Sequence, residues 1–129
     1  YDGMDELLVE LEREGARLGI VTSKMRDAVD LAWDALPPPI VWDCVITIED
    51  TDLHKPHPAP LLEALRQVGG TPADAVYVGD SPFDLQAAQA AGCAAVGVTW
   101  GVFRRDALAV EEPLAIVDTP AELLEVLAG

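Results

Sequence analysis

The sequence predicts an α/β domain, a doubly wound parallel sheet with helices on both faces. Three observations predict it. Short apolar runs alternate with segments of helical period along the whole chain. Those runs are apolar on both faces, as strands covered on two sides must be. The chain is 50% hydrophobic but only 5% aromatic, so its core is aliphatic and suits helices packed on a sheet.

Each element has a local reason. From Asp2 to Glu14, Met4, Leu7, Leu8 and Leu11 recur at helical spacing, and Gly15 is placed to end the helix. Leu18 to Val21 reads as a buried strand. Met25, Val29, Ala32, Trp33 and Leu36 mark a second helix, stopped by Pro37, Pro38 and Pro39. Asp43 to Ile48 reads as a strand and Glu49 to His57 as a polar loop. Pro58 suits the start of a helix carrying Leu61, Leu62 and Leu65, which ends at Gly69 and Gly70. Thr71 to Asp74 is a capped turn, and Ala75 to Val78 a strand closed by Gly79-Asp80-Ser81-Pro82. Asp84 to Ala91 is an Ala-rich helix stopped by Gly92. Ala94 to Val98 is a strand, Arg104 to Val110 a weaker helix, and Ala115 to Val117 a last short strand. Thr119-Pro120-Ala121-Glu122 resembles a capping box opening a final helix through Leu127. No repeat, low-complexity tract or linker interrupts this order.

Charge excludes several functions. Eight Lys and Arg against 23 Asp and Glu give −15. No nucleic-acid partner is expected, because binding one needs clustered cations to displace counterions. No membrane partner is expected either: anionic surfaces repel such a chain. The long uncharged run from Leu85 to Phe103 is broken by Gly92, Gly97 and Gly101. No basic n-region opens the chain, so no signal peptide is expected. Cys44 and Cys93 form no disulfide framework and are read as buried free thiols, so the expected compartment is the cytoplasm.

In parallel sheets ligands bind beyond the carboxyl ends of the strands. After the first strand stand Thr22, Ser23 and Lys24. Beyond the second is His54-Lys55-Pro56-His57-Pro58, after the third Gly79-Asp80-Ser81-Pro82-Phe83-Asp84, and after the fourth Thr99-Trp100-Gly101. Taken singly, each has a structural reading: Asp80 as a turn residue, Asp84 as a first-turn helix residue, Thr22 or Ser23 as an N-cap, Lys55 as a loop charge. His54 and His57 read as loop residues rather than zinc ligands. Together the strand ends offer hydroxyls, an ammonium and two carboxylates, which suit a phosphoryl group and Mg²⁺. The only lysines, Lys24 and Lys55, both follow strands, whereas six arginines carry the remaining positive charge.

These stretches resemble the haloacid dehalogenase-like phosphohydrolases, in the phosphoglycolate phosphatase and pyrophosphatase branch. Leu18-Gly19-Ile20-Val21-Thr22 is similar to the family's second motif, Lys55-Pro56-His57-Pro58 to its third, and Val78-Gly79-Asp80-Ser81-Pro82-Phe83-Asp84 to its fourth. The resemblance implies a Rossmann-like hydrolase core and an Mg²⁺-dependent phosphatase that forms an aspartyl-phosphate on a small phosphorylated substrate. Carried over by motif, Asp80 and Asp84 are metal ligands, Thr22 and Ser23 hold phosphate, and Lys55 stabilises the nucleophile and the phosphoryl oxygens.

The first motif, Asp-x-Asp after the first strand, has no counterpart upstream of Thr22, and no cap domain follows. Asp50-Thr51-Asp52 has the spelling in the wrong place and is read as loop. Residues 1–129 are therefore expected to be a partial phosphohydrolase core, beginning at Tyr1 as the C-terminal part of a phosphatase and inactive alone. The family's missing strand lies between those ending at Thr22 and Gly79. Their free edges are expected to pair with each other, or with another chain or the missing N-terminal segment. A receiver-like signalling domain also gathers acids, Thr and Lys at strand ends, but its acids precede the Thr. A non-catalytic structural relative is the third alternative.

Overall fold

The computed structural model describes residues 2–128. Its elements run α1 (Met4–Arg13), β1 (Gly19–Val21), α2 (Arg26–Ala35), β2 (Cys44–Ile46), α3 (Ala59–Val68), a 3₁₀ turn (Pro72–Asp74), β3 (Val76–Gly79), α4 (Pro82–Ala91), β4 (Ala94–Val98), α5 (Arg105–Ala109), β5 (Ala115–Val117) and α6 (Pro120–Ala128). The α/β alternation is the one the apolar pattern predicts. Two boundaries differ for local reasons. Ser81 caps α4 by accepting the Asp84 amide at 3.2 Å, so the helix starts at Pro82 rather than Asp84. β2 stops at Ile46 because Asp50 folds the chain back onto Thr47.

Every strand pairing is parallel. β4 is central in its sheet, and its alternation divides the core. Ala95 packs with Leu61, Leu85, Ala87, Ala88 and Leu108 on one face. Val96 and Val98 pack with Leu7, Leu11, Val117 and Leu123 on the other. Leu85 and Leu108 have no exposed surface. Truncating either to Ala removes about 2–5 kcal/mol, the usual loss when a buried Leu leaves a cavity. Cys44 is buried, but Cys93 is only half-buried, short of the burial expected for both.

The strands form two sheets, β1–β2 and β3–β4–β5. The expectation that the edges ending at Thr22 and Gly79 pair with each other is therefore wrong. The physical reason lies in the helices. α3 contacts β1, β2 and α4, while α1 packs on α6. These layers join the sheets and hold β1 and β3 apart. A cleft of about 950 Å³ opens between the strands on the α1 and α6 side, and one of about 580 Å³ on the α3 side. Leu18, Gly19, Val21, Val76 and Tyr77 line both.

Candidate active site

The larger cleft ends at the carboxyl ends of β1 and β3, and it is lined there by Thr22, Ser23, Lys55, Asp80 and Asp84. All five residues singled out in the sequence meet on one rim.

Thr22 extends the β1–β2 ladder, donating its amide to the Ile46 carbonyl at 2.9 Å. Its hydroxyl accepts the Lys24 amide at 3.2 Å, which leaves the hydroxyl proton free to donate into the cleft. It does not cap a helix: α2 has Met25 at its N-cap and no side-chain cap. Ser23 is exposed beside it.

Asp84 sits in the first turn of α4, where the helix dipole favours a carboxylate. It is not free. Its Oδ1 accepts from Lys55 Nζ at 2.7 Å, and its Oδ2 accepts the Asp80 amide at 3.2 Å. Gly79 makes this approach possible, since a Cβ there would lie 2.3 Å from the Asp84 Cβ. Asp80 is held in the same way from the other side. A Cβ on Gly101 would come within 2.4 Å of its Oδ2.

Lys55 Nζ donates to three acceptors: Asp84 Oδ1, the Tyr77 hydroxyl at 3.1 Å and the Val21 carbonyl at 3.5 Å. Burial opposes its charge, but Tyr77 and Asp84 outweigh burial, and its pKa is raised. Tyr77 is pushed up to about 12, chiefly by burial, so its hydroxyl keeps its proton at neutral pH. That hydroxyl also lies 3.4 Å from both the Val21 carbonyl and Asp84 Oδ1. It reaches from β3 to β1 where no backbone bonds join them. The Asp80 carboxyl is raised by desolvation and then by the Asp84 charge.

The two carboxylates are oxygen donors of the kind Mg²⁺ takes. The raised Asp80 pKa marks a place where a cation would relieve like-charge repulsion. Asp84 already serves Lys55, which leaves Asp80 as the freer ligand. Among the described residues no group of three His, Cys, Asp or Glu could hold a metal. The donor set fits Mg²⁺ in kind and is incomplete in number.

The remaining candidates behave as loop residues. Asp50 Oδ2 accepts from the Thr47 amide at 2.6 Å, the Thr47 hydroxyl at 2.9 Å and Arg26 at 2.8 Å. The Thr47 amide bond leads in holding its pKa below the usual value. Asp52 and His54 are exposed, and His57 Nδ1 accepts the Ala59 amide at 3.0 Å at the start of α3. Sequence reasoning missed Tyr77, whose only signal is a polar tip inside an apolar strand. It also missed the packing role of Gly101.

The haloacid dehalogenase-like hydrolase model matches residues 1–98. Pyrophosphatase PpaX of Bacillus cereus is 34% identical over 128 residues, covering 99% of this chain and 59% of that protein. A solved structure of a predicted phosphoglycolate phosphatase from Haemophilus somnus superposes with a TM-score of 0.90 at 31% identity, over 98% of this chain and 56% of that one. A haloacid dehalogenase-superfamily hydrolase of subfamily IA from Geobacter sulfurreducens gives 0.79 at 27% identity, over 98% and 55%. The chain thus spans under two thirds of the length of these relatives.

Proposed function

The chain belongs to the haloacid dehalogenase-like hydrolase family, and from that premise we propose that it is the phosphate-handling part of a cytoplasmic, Mg²⁺-dependent phosphatase. Its substrate is a small phosphorylated metabolite, phosphoglycolate-like, hydrolysed through an aspartyl-phosphate. The observation that carries this reading is the meeting of Thr22, Lys55, Asp80 and Asp84 on one cleft.

Each residue has a role its geometry supports. The free Thr22 proton points the hydroxyl at a phosphoryl oxygen as a donor, and Ser23 adds a second hydroxyl. Lys55, held by three acceptors, offsets charge on the phosphoryl group and on an incoming carboxylate. Asp80, with Asp84 beside it, would hold Mg²⁺, which neutralises phosphoryl charge when bound.

No residue upstream of Thr22 supplies an Asp-x-Asp nucleophile. The cleft between β1 and β3 has the character of a place for one. Leu7, Leu11 and Leu123 flank it on one side, Leu61 and Leu65 on the other. An extended segment apolar on both faces fits between the two free edges, and its end would meet Lys55 and Asp80. Such a segment, from outside these residues or from a neighbouring chain, delivers the attacking carboxylate.

The test is hydrolysis of p-nitrophenyl phosphate with and without Mg²⁺. The 129-residue chain alone is expected to be inactive. Adding a peptide of five apolar residues followed by Asp-x-Asp is expected to give Mg²⁺-dependent turnover, abolished by Asp80→Asn. Turnover by the chain alone would overturn the assignment of the nucleophile to a separate segment.

A further inference from the structure

The two lysines of this chain line the same cleft in opposite states. Lys55 uses all three of its N–H donors on Asp84, Tyr77 and Val21. Lys24 is exposed, and its ammonium makes no ion pair or hydrogen bond among the described residues. That isolation is unusual in a chain with 23 carboxylates and eight Lys and Arg. Four of the arginines, Arg13, Arg26, Arg66 and Arg105, are ion-paired.

The backbone of Lys24, by contrast, is fixed. Its amide donates to the Thr22 hydroxyl at 3.2 Å, and its carbonyl accepts the Ile48 amide at 3.1 Å. The side chain therefore leaves the cleft mouth from a held position two residues beyond the Thr22 hydroxyl. A phosphoryl group at Thr22 is served from the floor by Lys55. Lys24 is left over for whatever the phosphoryl group is attached to.

We propose that Lys24 binds a second anionic group of the substrate, so that the site selects small phosphate compounds carrying a further carboxylate or phosphate. This rests on the phosphoryl-site reading above and deepens it. A net charge of −15 repels any polyanion. The local ammonium offsets that repulsion where the second anion sits. An exposed ion pair of this kind changes affinity by roughly fivefold.

The experiment compares two probes, phosphoglycolate and ethyl phosphate, which lacks the carboxylate. Each is titrated into the 129-residue chain in Mg²⁺ and followed by amide NMR shifts at Thr22, Asp80 and Gly101. Wild type is expected to bind phosphoglycolate about fivefold tighter than ethyl phosphate. In Lys24→Met that ratio falls to near one, and Lys24→Arg restores most of it. An exposed side chain without a partner makes the fold insensitive to either change, which the unchanged spectrum of β4 and β5 would verify. A ratio near one in wild type, or one that survives Lys24→Met, overturns the role of Lys24 and leaves the phosphoryl site standing. If neither probe moves those signals, the phosphoryl site falls, and the assignment of Lys24 falls with it.

Discussion

Lys55 Nζ lies 2.7 Å from Asp84 Oδ1, with 13% and 11% of the two side chains exposed. This pair joins the loop after β2 to the first turn of α4, and Tyr77 ties it to β1. It is both the charge centre of the candidate site and a strut between the two sheets.

Removing one partner leaves an uncompensated buried charge. Lys55→Met or Asp84→Asn is expected to cost about 3–5 kcal/mol in urea unfolding at pH 7, and replacing both with apolar residues to cost much less. A single-variant loss under about 1 kcal/mol would show the pair to be as weak as a surface bridge. The folded pKa of Lys55 is raised. Its contribution is therefore complete below the unfolded value of about 10.4 and lost as pH rises through the folded one.

Asp50 gives the opposite dependence. Its folded pKa is lowered, first by the Thr47 amide. Its stabilisation is present above the unfolded value of about 3.9 and lost as pH falls through the folded value. Asp50→Asn is expected to lower the urea midpoint at pH 6 and to matter progressively less toward pH 2. A difference from wild type that stays constant across that range would contradict the carboxylate's role.

The glycines at the rim separate folding from binding. Gly79→Ala places a Cβ 2.3 Å from the Asp84 Cβ, close to the backbone of α4, so strain and lost stability are expected. Gly101→Ala meets mainly the Asp80 carboxylate, which can swing away. It is expected to weaken Mg²⁺ binding by calorimetry more than it lowers Tm. Equal Mg²⁺ binding by Gly101→Ala and wild type would show that Asp80 is not held for a cation.

Much of this was legible in the chain. β4 and β5 follow from unbroken apolar runs, and their bounds coincide with the sequence reading. The five site residues stand where strands end, so topology alone brings them to one rim. What was not legible depends on contacts far apart in sequence. Whether β1 pairs with β3 is decided by α3 and α1, not by either strand. Tyr77 reads as one more apolar strand residue until Lys55, 22 positions away, is placed against its hydroxyl. The Asp-x-Asp spelling at Asp50 points to catalysis until Thr47 and Arg26 are seen to occupy its carboxylate.

The most direct test replaces Mg²⁺ with paramagnetic Mn²⁺ and records which amide signals broaden. The account predicts selective broadening at residues 22–24, 55, 79–84 and 100–101, abolished by Asp80→Asn. Broadening centred instead on acidic surface helices such as α1, with Asp5, Glu6 and Glu10, would contradict a cation and phosphate site at the ends of β1 and β3.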